Sequence, residues 1–217
     1  MRNFNESRSA LAHRLWKFYG TVDMVRLMAR YAAARVDEWR GIPRGVEAVA
    51  AQYSVPIRSL ATINDAAYLR TLPLRGVDVL LSVAAPEIFR AAALSAAPHV
   101  LNVHCGRLPQ YRGMMPTFWA MHSGEREITI TVHTMAEQID RGEVLAEYPV
   151  AIRPADSAFD LAVRAKDVAG QEVARLLAGL ATTPATPRPM DPALQRYFRF
   201  PTRRQVRELR AAGRRML

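Results

Sequence analysis

The sequence of 217 residues predicts an α/β protein, and three observations carry that reading. Short apolar runs, GVDVLLSVAA (76–85) and HVLNVH (99–104), alternate with segments of helical composition. The first run is almost free of polar residues, as in a strand covered on both faces of a parallel sheet. Half of all residues are hydrophobic and 23% are charged, which is enough apolar material for one sizeable core.

Each element has its own signal. From Thr21 to Arg40, apolar residues at Val25, Met28, Ala29, Ala32 and Val36 recur at helical spacing. A second helix is predicted over 45–53. VPIRSL (55–60) reads as a short strand, and NDAAYLRTL (64–72) as a helix begun by Asn64 or Asp65. After the strand at 76–85, PEIFRAAAL (86–94) is predicted helical with Pro in its first turn. PTFWAMHSG (116–124) is a further helix, ended by Gly124. In EITITVHTM (127–135), Ile128, Ile130 and Val132 alternate with Thr129, Thr131 and His133, the pattern of a half-buried strand; GEVLAEYPVAI (142–152) is its partner. Ser157 and Asp160 form an S-x-x-D capping pattern before a long amphipathic helix. The expected organisation is a domain over 1–180 with an atypical helical start at 1–44, a Pro-rich linker at 181–195, and a basic arm at 196–217.

Composition excludes several classes. No apolar run approaches the roughly 18 residues of a membrane span, and the first twenty residues lack a signal-peptide segment. Cys105 is the only cysteine, so neither an intrachain disulfide nor a Cys-based zinc cluster can form, and no metal is expected. A cytoplasmic enzyme or binding domain is the default. The net charge of +10 is concentrated: residues 196–215 hold eight Arg against one acid, Glu208, and the rest carries 22 basic and 19 acidic residues. Arg203, Arg207, Arg210 and Arg214 would line one face of a helix, either as a solvated stripe or as a dock for an acidic partner. Val206, Leu209, Phe198 and Phe200 could anchor the arm. Nucleic acid is not the expected partner.

The chemistry concentrates in LNVHCGRLPQYRG (101–113). Residues two apart on a strand share a side, so Asn102 and His104 would face one cavity at the strand's C-terminal end, where open α/β sheets hold ligands. An amide beside an imidazole suits oxyanion stabilisation and proton transfer. By itself N-x-H is a common pattern, and a strand-end His is most often simply hydrogen-bonded.

The wider pattern is more specific. N-V-H, then L-P-Q-Y-R-G, then Pro116 leading into a helix, the strand TITVHT and D-R-G follow in order, with 38 residues from Asn102 to Asp140. This stretch resembles the formyltetrahydrofolate-dependent formyltransferases, which act on glycinamide ribonucleotide, methionyl-tRNA or sugar amines. The likeness runs more weakly from about residue 45 to 180. It implies a Rossmann-like fold with a mostly parallel sheet and transfer of a formyl group from 10-formyltetrahydrofolate to an amine of a small molecule. Asn102, His104 and Asp140 would be catalytic: Asn102 and protonated His104 stabilise the tetrahedral oxyanion, and Asp140 holds His104 and relays the amine's proton. The folate would lie against Val83, Ala84, Ala85, Pro86 and Ile88, and against Met135, Gln138 and Ile139. Arg112 either orients the loop or meets an anionic substrate beside Gly113. The resemblance also suggests a cis Leu108–Pro109 bond.

Three further expectations complete the reading. Cys105 would turn away from His104 as a small buried filler rather than a nucleophile. His133 would make a structural hydrogen bond. Members of the family open with a strand, a helix and a second strand, and nothing strand-like precedes residue 55 here. A sheet lacking that unit would leave a bare edge, favouring a homodimer through it. A formyltetrahydrofolate hydrolase, or a non-catalytic scaffold of the same fold, is the alternative to a transferase.

Overall fold

The computed structural model describes residues 7–72, 79–180, 182–183 and 185–217. The chain divides into two units, one of residues 6–62 and the other spanning 63–216.

In the first unit, α1 (Arg8–Trp39) starts at Ser7, whose hydroxyl accepts from the Ala10 amide at 3.1 Å. Gly20, at φ 78 and ψ 173, breaks its regularity. Phe18, Asp23 and Leu27 are buried, while Val25, Met28 and Val36 of the predicted stripe are exposed. α2 (Val46–Gln52) matches its prediction. Residues 55–60 are not a strand: Val55 and Ile57 are exposed, and among the described residues no partner strand takes up their backbone groups. An apolar run becomes a strand only by pairing.

The second unit holds the sheet. α3 (Ala66–Thr71) is capped by the Asp65 carboxylate, which accepts from the Ala67 and Tyr68 amides. β1 (Val79–Val83) pairs in parallel with β2 (His99–His104), with Ser82 opposite Asn102. The predicted start of β1, residues 76–78, lies outside the described residues. Between the strands, the predicted helix 86–94 shrinks to α4 (Ala91–Leu94). A contact from far along the chain is the reason: the Asn64 side chain donates to the Ile88 carbonyl at 2.9 Å and accepts from the Arg90 amide at 2.7 Å, diverting the groups a helix would need.

β3 (Arg112–Gly113) and α5 (Pro116–His122) follow, then β4 (Glu127–Thr134) and β5 (Val144–Ala151), joined as an antiparallel hairpin. β4 also lies antiparallel against β2, giving the order β1-β2-β4-β5. The resemblance implied a mostly parallel sheet; the described sheet is mixed, because this hairpin carries its own direction. β4 is also buried on both faces rather than one. Its Thr131 hydroxyl donates to the Gly106 carbonyl at 2.9 Å, and Thr129 accepts from the Arg107 guanidinium, so the loop after β2 closes over the polar face.

The opposite face is covered by α6 (Ala158–Leu180), whose Val173 and Leu180 pack with Leu101 and Val132. The capping pattern forms: the Ser157 hydroxyl accepts from the Asp160 amide at 3.0 Å and donates to its carboxylate at 2.6 Å. Beyond α6 the chain makes a 3₁₀ turn at Pro192–Leu194, then β6 (Tyr197–Phe198), which pairs in parallel with β3, and α7 (Arg203–Ala211). Val206 and Leu209 of α7 are buried, and Phe198 stacks on Tyr111 and Trp119. Arg203, Arg207 and Arg210 point outward, and Arg204 pairs with Glu208.

Candidate active site

β2 ends at His104, and the pleat puts Asn102 and His104 on the face away from α6, while Leu101 and Val103 meet that helix. The antiparallel register sets His133 of β4 directly opposite Asn102, and Thr131 opposite His104. The Asn102 amide nitrogen lies 3.1 Å from His133 Nε2, and His133 Nδ1 lies 2.7 Å from the Thr134 carbonyl. A carbonyl only accepts, so Nδ1 carries the proton and Nε2 accepts from Asn102. Burial depresses the His133 pKa, which keeps the ring neutral and preserves that acceptor; Asp140 opposes the shift. Asn102 thus keeps one amide hydrogen for another partner.

His104 is buried, and its Nε2 donates to the Tyr111 carbonyl at 2.6 Å. Nδ1 is therefore the nitrogen left to exchange a proton, and it faces Asp140 Oδ1 at 3.7 Å. The same carboxylate oxygen lies 3.8 Å from His133 Nε2. One carboxylate sits between two imidazoles, close enough to each for a small shift or a bridging water to complete a proton path.

Asp140 is held from behind. Its backbone takes the left-handed conformation, φ 52, which Asp tolerates better than most residues. The Gly113 amide donates to Asp140 Oδ2 at 2.8 Å. Arg112, buried, donates from Nε to the Ile139 and Asp140 carbonyls at 3.2 and 3.1 Å, from Nη2 to Ile139 again, and from Nη1 to Gln195 Oε1 at 3.1 Å. These contacts favour the loop-orienting reading of Arg112. Two glycines are required by close approach: a Cβ on Gly113 would lie 2.3 Å from the Phe198 carbonyl oxygen, and one on Gly142 would lie 1.6 Å from that of Thr134.

The residues expected to meet folate sit on two loops that share one apolar cluster. Phe89 and Met135 pack with Leu80, Ala93 and Val100, which fixes 83–89 and 135–140 beside each other. Val83 is 61% exposed, Ile88 54% and Ile139 42%. Ala84, Ala85, Pro86 and Gln138 are also exposed. Among the described residues no group of three or more His, Cys, Asp and Glu could hold a metal ion. Cys105 is half-buried; burial raises its thiol pKa, with Lys166 of α6 countering, which disfavours the thiolate a nucleophile needs. The Leu108–Pro109 bond is cis.

His133 is the site residue that sequence reasoning undervalued. Its alternation with Thr129 and Thr131 fixed its face, but its place beside Asn102 depends on register between strands 31 residues apart.

Comparison with known proteins bears on the family and the fold. A methionyl-tRNA formyltransferase from Anaeromyxobacter dehalogenans is 31% identical over 148 residues, covering 68% of this chain and 47% of its own length. The chain spans about half the length of the curated relatives it matches. A sugar N-formyltransferase from a Shewanella species superposes with a TM-score of 0.57 at 17% identity, over 88% of this chain and 84% of its own. The N-formyltransferase of Helicobacter canadensis, solved in complex with folinic acid and dTDP-3-aminofucose, also gives 0.57 at 16% identity, over 76% and 58%. Residues 12–177 match the formyl transferase family, and the chain, with Asn102, His104 and Asp140 gathered at the end of its central strands, belongs to that family.

Proposed function

We propose that the protein transfers the formyl group of 10-formyltetrahydrofolate to a primary amine of a small molecule. The observation that carries the reading is the Asp140 carboxylate, set 3.7 Å from His104 and 3.8 Å from His133 with the Asn102 amide alongside.

In this reading the amine nitrogen attacks the formyl carbon. The free amide hydrogen of Asn102 and a proton on His104 Nδ1 stabilise the oxyanion that forms. Asp140 takes the proton that the amine sheds, through water, and the adduct collapses as the bond from carbon to N10 breaks. N10 leaves with the proton that Asp140 passes on through the same water, giving tetrahydrofolate, the formamide and a regenerated carboxylate, so atoms and charge balance. Val83, Ile88 and Ile139 would hold the folate ring, with the backbone of 84–86 and 135–138 supplying hydrogen bonds.

The test is a spectrophotometric assay with 10-formyltetrahydrofolate and a panel of amines that includes a nucleotide-linked amino sugar and a methionyl ester. Formyl transfer to one amine supports the reading. Formate release without any amine would point to a hydrolase. Failure to bind a folate analogue by calorimetry would leave a scaffold role.

A further inference from the structure

The segment after α6 reaches back to the site. Arg196 donates its amide to the Pro109 carbonyl at 3.1 Å, and the Arg112 amide donates to the Arg196 carbonyl at 3.2 Å. The Met114 amide reaches the Phe198 carbonyl at 2.9 Å. This strap therefore clamps the loop whose Tyr111 carbonyl holds His104. Its side chains add one connection that backbone pairing does not require. Gln195 Oε1 accepts from Arg112 Nη1 at 3.1 Å and from Arg141 Nη2 at 2.7 Å.

We propose that Gln195 is a positioning residue for the site. It fixes the Arg112 guanidinium, which in turn fixes the 139–140 backbone and so the place of Asp140 between the two imidazoles. Arg112 and Arg141 carry like charges close together, and Arg141 helps lower the Arg112 pKa after burial, the largest cause. An amide oxygen between them offsets their repulsion and satisfies a donor from each. Removing it leaves the two cations facing each other and leaves Arg112 held only through Nε and Nη2, so their repulsion acts on the 139–140 backbone. The left-handed backbone of Asp140 depends on such over-determination, because an unsupported residue relaxes out of that region. Carboxylate placement at 3.7 Å from Nδ1 leaves little tolerance, since a displacement of about 1 Å at a reacting group costs up to about a hundredfold in rate.

The kinetic part of the test rests on the formyl-transfer reading; the spectroscopic part does not. Gln195→Leu removes the acceptor at similar size, and Gln195→Glu keeps it. Asp191→Ala loosens the same strap elsewhere, at the cap of the 3₁₀ turn, where the carboxylate accepts from the Ala193 amide. Gln195→Leu is expected to lower kcat about tenfold with KM for the folate donor held within about two-fold, and Gln195→Glu to restore kcat. Asp191→Ala should lower thermal stability while kcat stays near wild type. In parallel, the ring ¹⁵N resonances of His104 and His133 should move in Gln195→Leu and return in Gln195→Glu. Wild-type resonances and kcat in Gln195→Leu overturn the proposal. So does an equal loss in Asp191→Ala with no rescue by Gln195→Glu, which would make the strap a stabilising element only. Should the wild-type protein transfer no formyl group, the functional reading fails, and the resonances alone still decide whether Gln195 positions Asp140.

Discussion

Asp140 is the residue on which the site turns, because a single carboxylate faces both imidazoles while its other oxygen is held by the Gly113 amide. Asp140→Asn keeps the size and an acceptor but loses the charge and the ability to take a proton. It is expected to leave the fold intact and to lower turnover by roughly 10²–10⁴, the scale of lost acid–base assistance. His104→Ala and Asn102→Ala should each cost about 10² or more. Circular dichroism together with steady-state turnover checks all three, and near-normal turnover in Asp140→Asn would sink the mechanism. His133 makes a separate prediction through its proton. Its folded pKa lies below the ordinary 6.5, so as pH falls through 6.5 the unfolded chain takes up a proton that the folded one refuses. Stability is then present above that range and lost below it, by at most about 1.4 kcal/mol per pH unit. Urea titrations at pH 7.5 and 5.5 should show a smaller acid loss in His133→Gln than in wild type. Equal losses would mean that the ring does not titrate as its burial requires.

At the scale of elements, α6 covers the face of the sheet opposite the site and so fixes which way Asn102 and His104 point. Its start depends on Ser157, fully buried, exchanging hydrogen bonds with Asp160. Ser157→Ala removes that cap and the hydroxyl bond to the Asp160 carboxylate, while the backbone amide of residue 157 still donates to it, at a cost of about 1 kcal/mol. For a chain of this size that corresponds to a fall in Tm of roughly 2–4 °C. Calorimetry reads it directly, and no change in Tm would show the cap to be redundant with the Arg164–Asp156 pair alongside, whose carboxylate also accepts from the Arg153 amide. The hairpin of β4 and β5 has the complementary role. It brings His133 to the site and gives its threonine hydroxyls to the loop after β2.

For the whole molecule, two apolar features face solvent independently. β1 is hydrogen-bonded on one side only among the described strands, with Val79, Leu80 and Leu81 partly exposed. On α1, Val22 and Val25 are 65% and 64% exposed, and Trp39 is 87% exposed. An unpaired strand edge and an apolar helix face both promote association. Light scattering should show the mean mass rising with protein concentration, and added salt should not reverse it, because apolar contact is not screened. Val25→Glu combined with Val36→Glu separates the two sources: it restores a monomer if the helix face is responsible and leaves association in place if β1 is. A monodisperse monomer in the wild type across the range would refute both.

The order of short apolar runs and helical segments was enough to assign an α/β fold, since burial demands those periodicities locally. The motif from Asn102 to Asp140 was enough to name the family and three catalytic candidates, because catalysis fixes residue types at fixed places along the chain. What pairing decides lay beyond it. VPIRSL is as apolar as a strand but has no strand to pair with among the described residues, and PEIFR loses its helix to the side chain of a residue more than twenty positions upstream. His133 reaches Asn102 only through register, and Gln195 reaches Arg112 across 83 residues. The sequence by itself determined which groups could do the chemistry. Only the tertiary structure decided which groups hold them in place, because those contacts join residues that no local pattern relates.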